Sequence, residues 1–255
     1  MSLTLGLYQG PPVMGDPEAG LARLQRQLTA AAAAGARMLV APELFLPGYN
    51  RPDLHAALAQ PMGGAWCRRL AGMAREAGCG LTVGWAERDG DAVYNAATAF
   101  DRDGTILGHY RKIQLFGPME AASFAPGGSY CLFDLDGVKT GLMICYDVEF
   151  APHVRALAER GARLLLVPTA NPAGFEHVST AFVPARAAEM DLTIAYANFC
   201  GDEAGLAYGG RSLIAGPDAQ VIAAAGRAEC LLVATLGPEP DRALRSTQLA
   251  DYRKV

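Results

Sequence analysis

The sequence predicts an α/β protein of one domain, built around a mixed sheet that includes hairpins. Three observations carry that prediction. Short apolar, β-prone runs alternate with Ala-, Leu- and Arg-rich stretches of helical length, and glycine or proline punctuates most junctions. A helix–glycine–strand–proline unit occurs twice, in Gly35-Ala36-Arg37-Met38-Leu39-Val40-Ala41-Pro42 and in Gly161-Ala162-Arg163-Leu164-Leu165-Leu166-Val167-Pro168. This echo fits two related α/β halves, although helix–glycine–strand is also a common grammar by itself. No composition break or linker divides the chain. A single domain over residues 1–255 is therefore expected, with 238–255 as a charged C-terminal tail that covers the surface or a partner subunit.

In chain order, residues 3–8 alternate as a first strand would. Residues 17–34 read as a helix, and Gly35 stops it. Residues 38–41 form a short buried strand ended by Pro42-Glu43, and Pro47, Gly48 and Pro52 make 44–52 a loop. A second helix is expected over 64–77, strands over 81–85 and 92–100, and a turn at Asp101-Arg102-Asp103-Gly104 into a strand at 105–110. Residues 111–129 read as irregular and 130–135 as a strand. Residues 138–150 follow, an apolar run that closes on Cys145-Tyr146-Asp147-Val148-Glu149-Phe150. It reads as a buried strand whose C-terminal end emerges at a loop, where α/β proteins tend to place their chemistry. Beyond it come a helix over 152–160 stopped by Gly161, a strand over 164–167, and a helix over 178–190 that Pro184 kinks or starts late. Strands are expected over 192–198, 211–215, 220–224 and 230–236.

Hydrophobic content of 51% and charged content of 19% are those of an ordinary globular chain. A net charge of −4 leaves no basic footprint for nucleic acid. The longest apolar runs, such as 164–167, are too short to span a bilayer, and Met1-Ser2-Leu3-Thr4 opens no secretory signal. Cysteines stand at 67, 79, 131, 145, 200 and 230 without a CxxC pair, so reduced thiols in the cytoplasm are expected.

Three strand ends carry chemistry-bearing residues: Glu43, Lys112 and Cys145. A free cysteine is most often a small buried hydrophobe, and a lone Glu or Lys is most often a surface charge. Each of these charges, however, sits directly against apolar sequence, and a buried carboxylate or ammonium needs a partner. A thiol likewise needs a base or a positive charge to act as a nucleophile. The four histidines share no motif with Cys145. His153 is nearest, inside a predicted helix, and reads as a surface histidine.

Pro42-Glu43-Leu44-Phe45-Leu46-Pro47-Gly48-Tyr49, Tyr110-Arg111-Lys112-Ile113-Gln114-Leu115-Phe116 and Gly141-Leu142-Met143-Ile144-Cys145-Tyr146-Asp147 resemble the three signatures of the carbon–nitrogen hydrolase (nitrilase) superfamily, in that family's order. The resemblance runs from residue 3 to about residue 236. It implies a four-layer α-β-β-α sandwich, a homodimer or larger homo-oligomer, and no metal or organic cofactor. Carried over residue by residue, it implies Cys145 as nucleophile, Glu43 as general base and acid, and Lys112 as electrostatic stabiliser. The backbone N–H of Tyr146 would join Lys112 at the oxyanion. The family's second glutamate precedes an aromatic-x-Pro-Gly. Glu120 fits, with Phe124-Ala125-Pro126-Gly127 after it, and a helix-start or surface role stands beside that reading.

The stretches 145–150, 168–172 and 195–201 resemble most the amidase branches, 5-aminopentanamidase and R-stereoselective amidases among them. True nitrilases commonly carry Cys-Trp-Glu where this chain has Cys145-Tyr146-Asp147. The chain departs from the aminopentanamidase pattern at Pro172-Ala173-Gly174-Phe175, at Gly209-Gly210 and over 115–124, so the pocket and the substrate stay open. The resemblance implies hydrolysis of a small aliphatic or amino-acid-derived carboxamide to an acid and ammonia through a Cys thioester. The alternatives are an N-carbamoyl or ω-amide hydrolase, or a non-catalytic binding or scaffold protein, against which the joint presence of Glu43, Lys112 and Cys145 speaks. A small-molecule amide is the expected partner, with no nucleic acid and no membrane. Tyr49, Phe150, Asn171 and Phe175 are candidates for lining the substrate pocket, with plain core as the other reading of the aromatics. Asp147, Glu149, Glu176 and Asp202 either attract an amine-bearing substrate or are solvated or helix-capping carboxylates. The other five cysteines read as structural.

Overall fold

Local signals set the first helix. Asp16 accepts a hydrogen bond from the Ala19 backbone N–H at 3.0 Å, Pro17 supplies a pre-set φ, and Leu21, Leu24, Leu28 and Ala31 recur on one face at helical spacing. Gly35, at φ +81°, then turns the chain into a strand. The computed structural model describes residues 3–237 and 241–253. Its first half runs β1 (Thr4–Gln9), α1 (Pro17–Ala33), β2 (Met38–Val40), α2 (Pro52–Leu58), α3 (Ala65–Ala77), β3 (Gly80–Asp89), β4 (Ala92–Phe100), β5 (Ile106–Arg111) and α4 (Gly117–Ser123). Its second half runs β6 (Cys131–Leu135), β7 (Val138–Leu142), α5 (Ala151–Glu159), β8 (Leu164–Pro168), α6 (Val183–Glu189) and β9 (Thr193–Ala197). A small ribbon, β10 (Asp202–Glu203) with β11 (Leu206–Ala207), precedes β12 (Leu213–Ala215), β13 (Val221–Ala224), β14 (Cys230–Thr235) and α7 (Gln248–Asp251).

The strands form two six-stranded mixed sheets, ordered β14-β1-β2-β3-β4-β5 and β13-β12-β9-β8-β7-β6. The helix–glycine–strand echo falls at equivalent places in them. β2 lies between β1 and β3 and parallel to both, and β8 lies in the same way between β7 and β9. Even the backbone bonds entering each strand correspond. Arg37 N–H donates to Thr4 O and Gly80 N–H to Arg37 O, just as Arg163 N–H donates to Lys139 O and Thr193 N–H to Arg163 O.

Three apolar layers then define four structural layers. Leu5, Leu7, Met38 and Val40 of one sheet meet Leu142, Leu164, Leu166 and Ala195 of the other. Outside them, α1 and α3 cover the first sheet through Leu24, Leu28, Leu70 and Met73, and α5 and α6 cover the second through Val154, Leu157, Val183 and Ala187. Burial on both faces explains why β2 and β8 are unbroken apolar runs without alternation. The α-β-β-α sandwich expected from the resemblance is the architecture the chain adopts.

Three helices depart from the sequence reading: α7 lies in the predicted tail, and two others stand where no helix is expected. α2 follows the predicted 44–52 loop, and α4 lies inside the segment read as irregular. Both are seven residues long with proline in the first turn, a helix-start signal that surrounding Pro and Gly obscure. Residues 178–182 form a π turn, and α6 begins only at Val183 with Pro184 in its first turn, so the proline marks a late start. Of the predicted tail, 238–240 and 254–255 lie outside the described residues, as do Met1 and Ser2. Arg245 anchors the remainder by a two-pronged contact with Asp191 at 2.6 and 2.7 Å. Among the described residues, no helix is long and apolar enough to cross a membrane.

Candidate active site

Glu43, Lys112 and Cys145 follow the C-terminal ends of β2, β5 and β7. Backbone bonds brace each exit: Gly84 N–H donates to Pro42 O at 3.1 Å, Lys112 N–H to Asn95 O at 2.8 Å, and Met143 N–H to Leu166 O at 3.2 Å. The Glu43 loop also crosses to the other sheet, with Glu43 N–H reaching Thr169 O at 3.3 Å. Its close approach to β3 depends on Gly84. A Cβ there would lie 2.5–2.8 Å from backbone atoms of Glu43 and Leu44.

The side chains converge on one ammonium. Lys112 Nζ donates to Glu43 Oε1 at 2.6 Å and to Glu120 Oε1 at 2.7 Å, and all three charged groups are buried. Asn95 Nδ2 donates to Glu43 Oε1 at 2.7 Å, and Tyr49 OH donates to Glu120 Oε1 at 2.7 Å. The other Glu120 oxygen receives the Phe116 N–H at 3.0 Å, across the N-terminus of α4. Glu120 thus combines a helix-start role with a grip on Lys112, and the surface alternative falls away. The remaining oxygen of Glu43, Oε2, is buried with no hydrogen-bond partner among the described residues. A buried carboxylate oxygen left without a donor is costly, so the position is an unusual one for a purely structural acid.

Cys145 differs from the expected strand end. β7 stops at Leu142, and the cysteine opens a 3₁₀ turn, Cys145–Glu149, at φ +44°. A non-glycine residue there is strained by roughly 1–2 kcal/mol. Asp147 holds the turn in place. Its carboxylate accepts from Gln114 N–H at 2.8 Å, from Ile144 N–H at 3.0 Å and from Tyr110 OH at 2.9 Å. It is wholly buried, neither solvated nor capping the following helix as a loop carboxylate usually does. Cys145 itself is buried, at 8% exposed against 0% for Glu43 and Glu120 and 1% for Lys112, and is the least enclosed residue of the group.

One ammonium faces two carboxylates and a thiol, and the proton affinities follow from that. Burial pushes Glu43 above the ordinary carboxylate range, Lys112 opposes the push and Glu120 reinforces it. Burial acts to lower Lys112, but Glu43 and Glu120 raise it, so it stays charged. Burial pushes the Cys145 thiol far up, Glu43 adds to this, and Lys112 and the Ala170 backbone pull it back. At rest the sulfur keeps its proton beside a carboxylate whose affinity has been raised toward it.

The four candidate lining residues divide. Tyr146, Phe150 and Phe175 are joined through Phe116: ring centroids are 5.1 Å apart for Phe116–Tyr146, 4.8 Å for Tyr146–Phe150 and 5.9 Å for Phe116–Phe175. They form an aromatic cluster on the Cys145–Glu149 turn. Tyr49 is buried behind Glu120, and Asn171 Nδ2 holds Phe175 O at 2.9 Å, shaping the loop that carries Phe175. Glu176 and Asp202 accept from Gly174 N–H and Gly205 N–H in local turns, as ordinary loop carboxylates do. His153 is not a surface residue. Half-buried behind Phe150, it is hydrogen-bonded to Gln114 Nε2 at 2.9 Å and Tyr130 OH at 2.8 Å. Asn95 and Tyr110 were not anticipated. Asn95 had a signal, an asparagine inside an apolar strand; Tyr110 had none. All six cysteines are free.

Comparison with known proteins agrees with this geometry. Residues 4–244 match the protein-family profile described as Carbon-nitrogen hydrolase. A hydrolase encoded in the pqqF 5′ region of Pseudomonas protegens is 42% identical, over 92% of this chain and 83% of its own length. An (R)-stereoselective amidase from a Pseudomonas species is 32% identical, over 91% of this chain and 84% of its own. An amidase from Nesterenkonia sp. AN1, solved as a glutamate-to-glutamine, cysteine-to-alanine variant with acrylamide, superposes with a TM-score of 0.89 at 36% identity, covering 99% of this chain and 94% of that one. Another structure of that amidase shows covalent addition of the acetamide moiety of fluoroacetamide at its active-site cysteine.

Proposed function

Since the chain belongs to the carbon–nitrogen hydrolase family, we propose that it hydrolyses a small aliphatic or amino-acid-derived carboxamide to a carboxylic acid and ammonia through a thioester on Cys145. It is a thiol amidohydrolase by its relatives, and the division of labour among its residues is the proposal. The observation that carries it is the buried Glu43–Lys112–Glu120 array, with Glu43 Oε2 unpartnered beside a strained cysteine.

Glu43 Oε2 takes the thiol proton as Cys145 Sγ bonds to the amide carbonyl carbon, and the C=O electron pair moves onto oxygen. Lys112 and the Tyr146 backbone N–H stabilise that oxyanion, and one such donor is worth about 3–4 kcal/mol. The oxyanion collapses, the C–N bond breaks, and Glu43 passes its proton to nitrogen so that ammonia leaves. A water molecule then gives a proton to Glu43 and attacks the thioester. When the C–S bond breaks, Sγ regains the proton from Glu43 and the acid departs. Glu120 keeps Lys112 from settling fully onto Glu43, which leaves both free for the oxyanion and proton steps. Its charge also raises the proton affinity of Glu43, which must both accept and return a proton. The scheme calls for no metal or organic cofactor. The same reading takes residues 1–255 as one catalytic domain acting in the cytoplasm as a homodimer or larger homo-oligomer.

The test is ammonia release across aliphatic amides, amino-acid amides, N-carbamoyl compounds and nitriles, with Cys145→Ala as control. The expected result is turnover of small carboxamides that Cys145→Ala loses by more than about 10³-fold. Ammonia released by Cys145→Ala at the wild-type rate would sink the scheme.

A further inference from the structure

Two loops from opposite sheets frame the candidate site, and one small ribbon touches both. Residues 43–50 follow β2 and carry Glu43 and Tyr49; residues 169–175 follow β8 and carry Asn171 and Phe175. The β10–β11 ribbon belongs to neither six-stranded sheet. Backbone bonds tie the ribbon and the residues after it to the second loop. Ala173 N–H donates to Ala207 O at 2.9 Å, Gly209 N–H donates to Asn171 O at 3.0 Å, and Pro172 forms a bridge with Tyr208. The first loop is held through one acid, Glu203.

Glu203 is fully buried. Its Oε2 accepts from Asn50 N–H at 2.7 Å and from Tyr208 OH at 2.8 Å, and its backbone O accepts from Asn50 Nδ2 at 2.9 Å. Its other oxygen, Oε1, has no hydrogen-bond partner among the described residues and is packed against Gly48, where a Cβ would lie 2.3 Å from it. Burial pushes the Glu203 carboxyl above its ordinary range, and the Asn50 and Tyr208 bonds pull it back. An acid kept at that cost is explained by what it grips.

What it grips is the residue next to Tyr49. Tyr49 OH donates to Glu120 Oε1 at 2.7 Å, the same oxygen that receives Lys112 Nζ at 2.7 Å. The Tyr49 ring meets the Tyr208 ring edge-on, with centroids 6.5 Å apart, and His55 Nε2 donates to Gly48 O at 3.1 Å. The loop is thus pinned on both sides of Tyr49. The hydroxyl stands at the far end of that ring, so a small tilt of the backbone carries it out of range of Glu120.

We propose that Glu203 is a positioning residue for the reaction: by fixing Asn50 and Tyr208 it aims the Tyr49 hydroxyl at Glu120, and so sets how the Glu120 carboxylate is shared between Tyr49 and Lys112. Glu203 acts through Tyr49 and takes no part in the proton transfers. This rests on the amidase reading above and concerns the same site.

The test is a double-mutant cycle read by thermal melting and by ammonia release from a small carboxamide that the wild type hydrolyses. Glu203→Ala and Tyr49→Phe should each lower kcat about 10- to 100-fold, with KM changed by less than about threefold. The double variant should be no worse than the poorer single one, because both remove the same contact. Glu203→Gln keeps an acceptor for Asn50 N–H and Tyr208 OH, and its kcat should recover to within about fivefold of wild type. Should Glu203→Ala not fold, Tyr208→Phe replaces it in the cycle. That variant removes one donor to Glu203 Oε2, and its smaller loss, about 3- to 10-fold, should vanish in the Tyr49→Phe background. Losses that multiply in either cycle, a kcat within about twofold of wild type in Glu203→Ala or Tyr49→Phe, or a Glu203→Gln no better than Glu203→Ala would overturn the proposal and leave the amidase reading intact. A wild type that hydrolyses no amide at all would remove both.

Discussion

Replacing Asp147 with asparagine isolates the brace beneath the Cys145 turn. The two side chains have nearly the same shape, but one of the three donors now meets an N–H₂ instead of an oxygen. If the amide oxygen keeps Ile144 N–H and Tyr110 OH, then Gln114 N–H is orphaned, and the 2.8 Å bond that ties its segment to the turn is lost. A lost charge-assisted bond costs about 1.5–3 kcal/mol and a buried orphan donor about 1–3 kcal/mol. Part is returned, because burial already makes the Asp147 charge costly, enough to raise its pKa. A net loss of about 2–3 kcal/mol remains, a drop in Tm of about 4–12 °C for a chain of this size. Activity should fall further than stability. Gln114 lies two residues beyond Lys112, and Ile144 directly precedes Cys145, so the loosened brace lets the proposed oxyanion donor and the proposed nucleophile drift apart. A misplacement of about 1 Å is worth about 10²-fold. The assay is thermal melting together with steady-state ammonia release. We expect kcat to fall about 10²-fold, with KM changed by less than about threefold. A variant with kcat within about twofold of wild type and Tm within about 2 °C would refute the idea that Asp147 sets the relation of Lys112 to Cys145.

Gly84→Ala should cut activity without touching any reacting group. Its Cβ would fall 2.5–2.8 Å from the backbone of Glu43 and Leu44, so Glu43 must move, and a loss in kcat of about 10-fold or more is expected, read by the same assay. The pH profile tests the proton inventory. Glu43 must be ionised to accept the thiol proton, so kcat/KM falls as pH drops through its raised pKa, and this acid limb should lie well above the ordinary carboxylate value of about 4.3. Removing the Asn95 donor takes away a bond to the charged form and should move the limb up. Glu120→Gln removes a like charge and should move it down. Limbs that stay at the ordinary carboxylate position, or that shift in the opposite directions, would discard Glu43 as the group being titrated.

Much of the architecture is local information. Asp16 and Pro17 start α1, Gly35 and Gly161 stop helices before apolar runs, and the two runs at 38–41 and 164–167 are apolar because they are buried on both faces. Periodicity and punctuation are written in adjacent residues, so elements longer than about eight residues were legible in the chain, and the short α2 and α4 were not. The candidate site divides in the same way. Glu43, Lys112 and Cys145 stand inside recognisable motifs, but what holds them is distant in sequence. Lys112 and Glu43 are separated by 69 positions, and Tyr110 and Asp147 by 37. Only the packing of two sheets brings such groups within hydrogen-bond reach. The chain by itself therefore made most of the longer strands legible and marked the motifs that carry Glu43, Lys112 and Cys145, while the short β10–β11 ribbon left no such signal. The tertiary structure decided their electrostatic state, because a charge changes its proton affinity only when its water is stripped and its neighbours are in place. That is how Asp147, a plausible helix cap in sequence, became the buried brace of the turn.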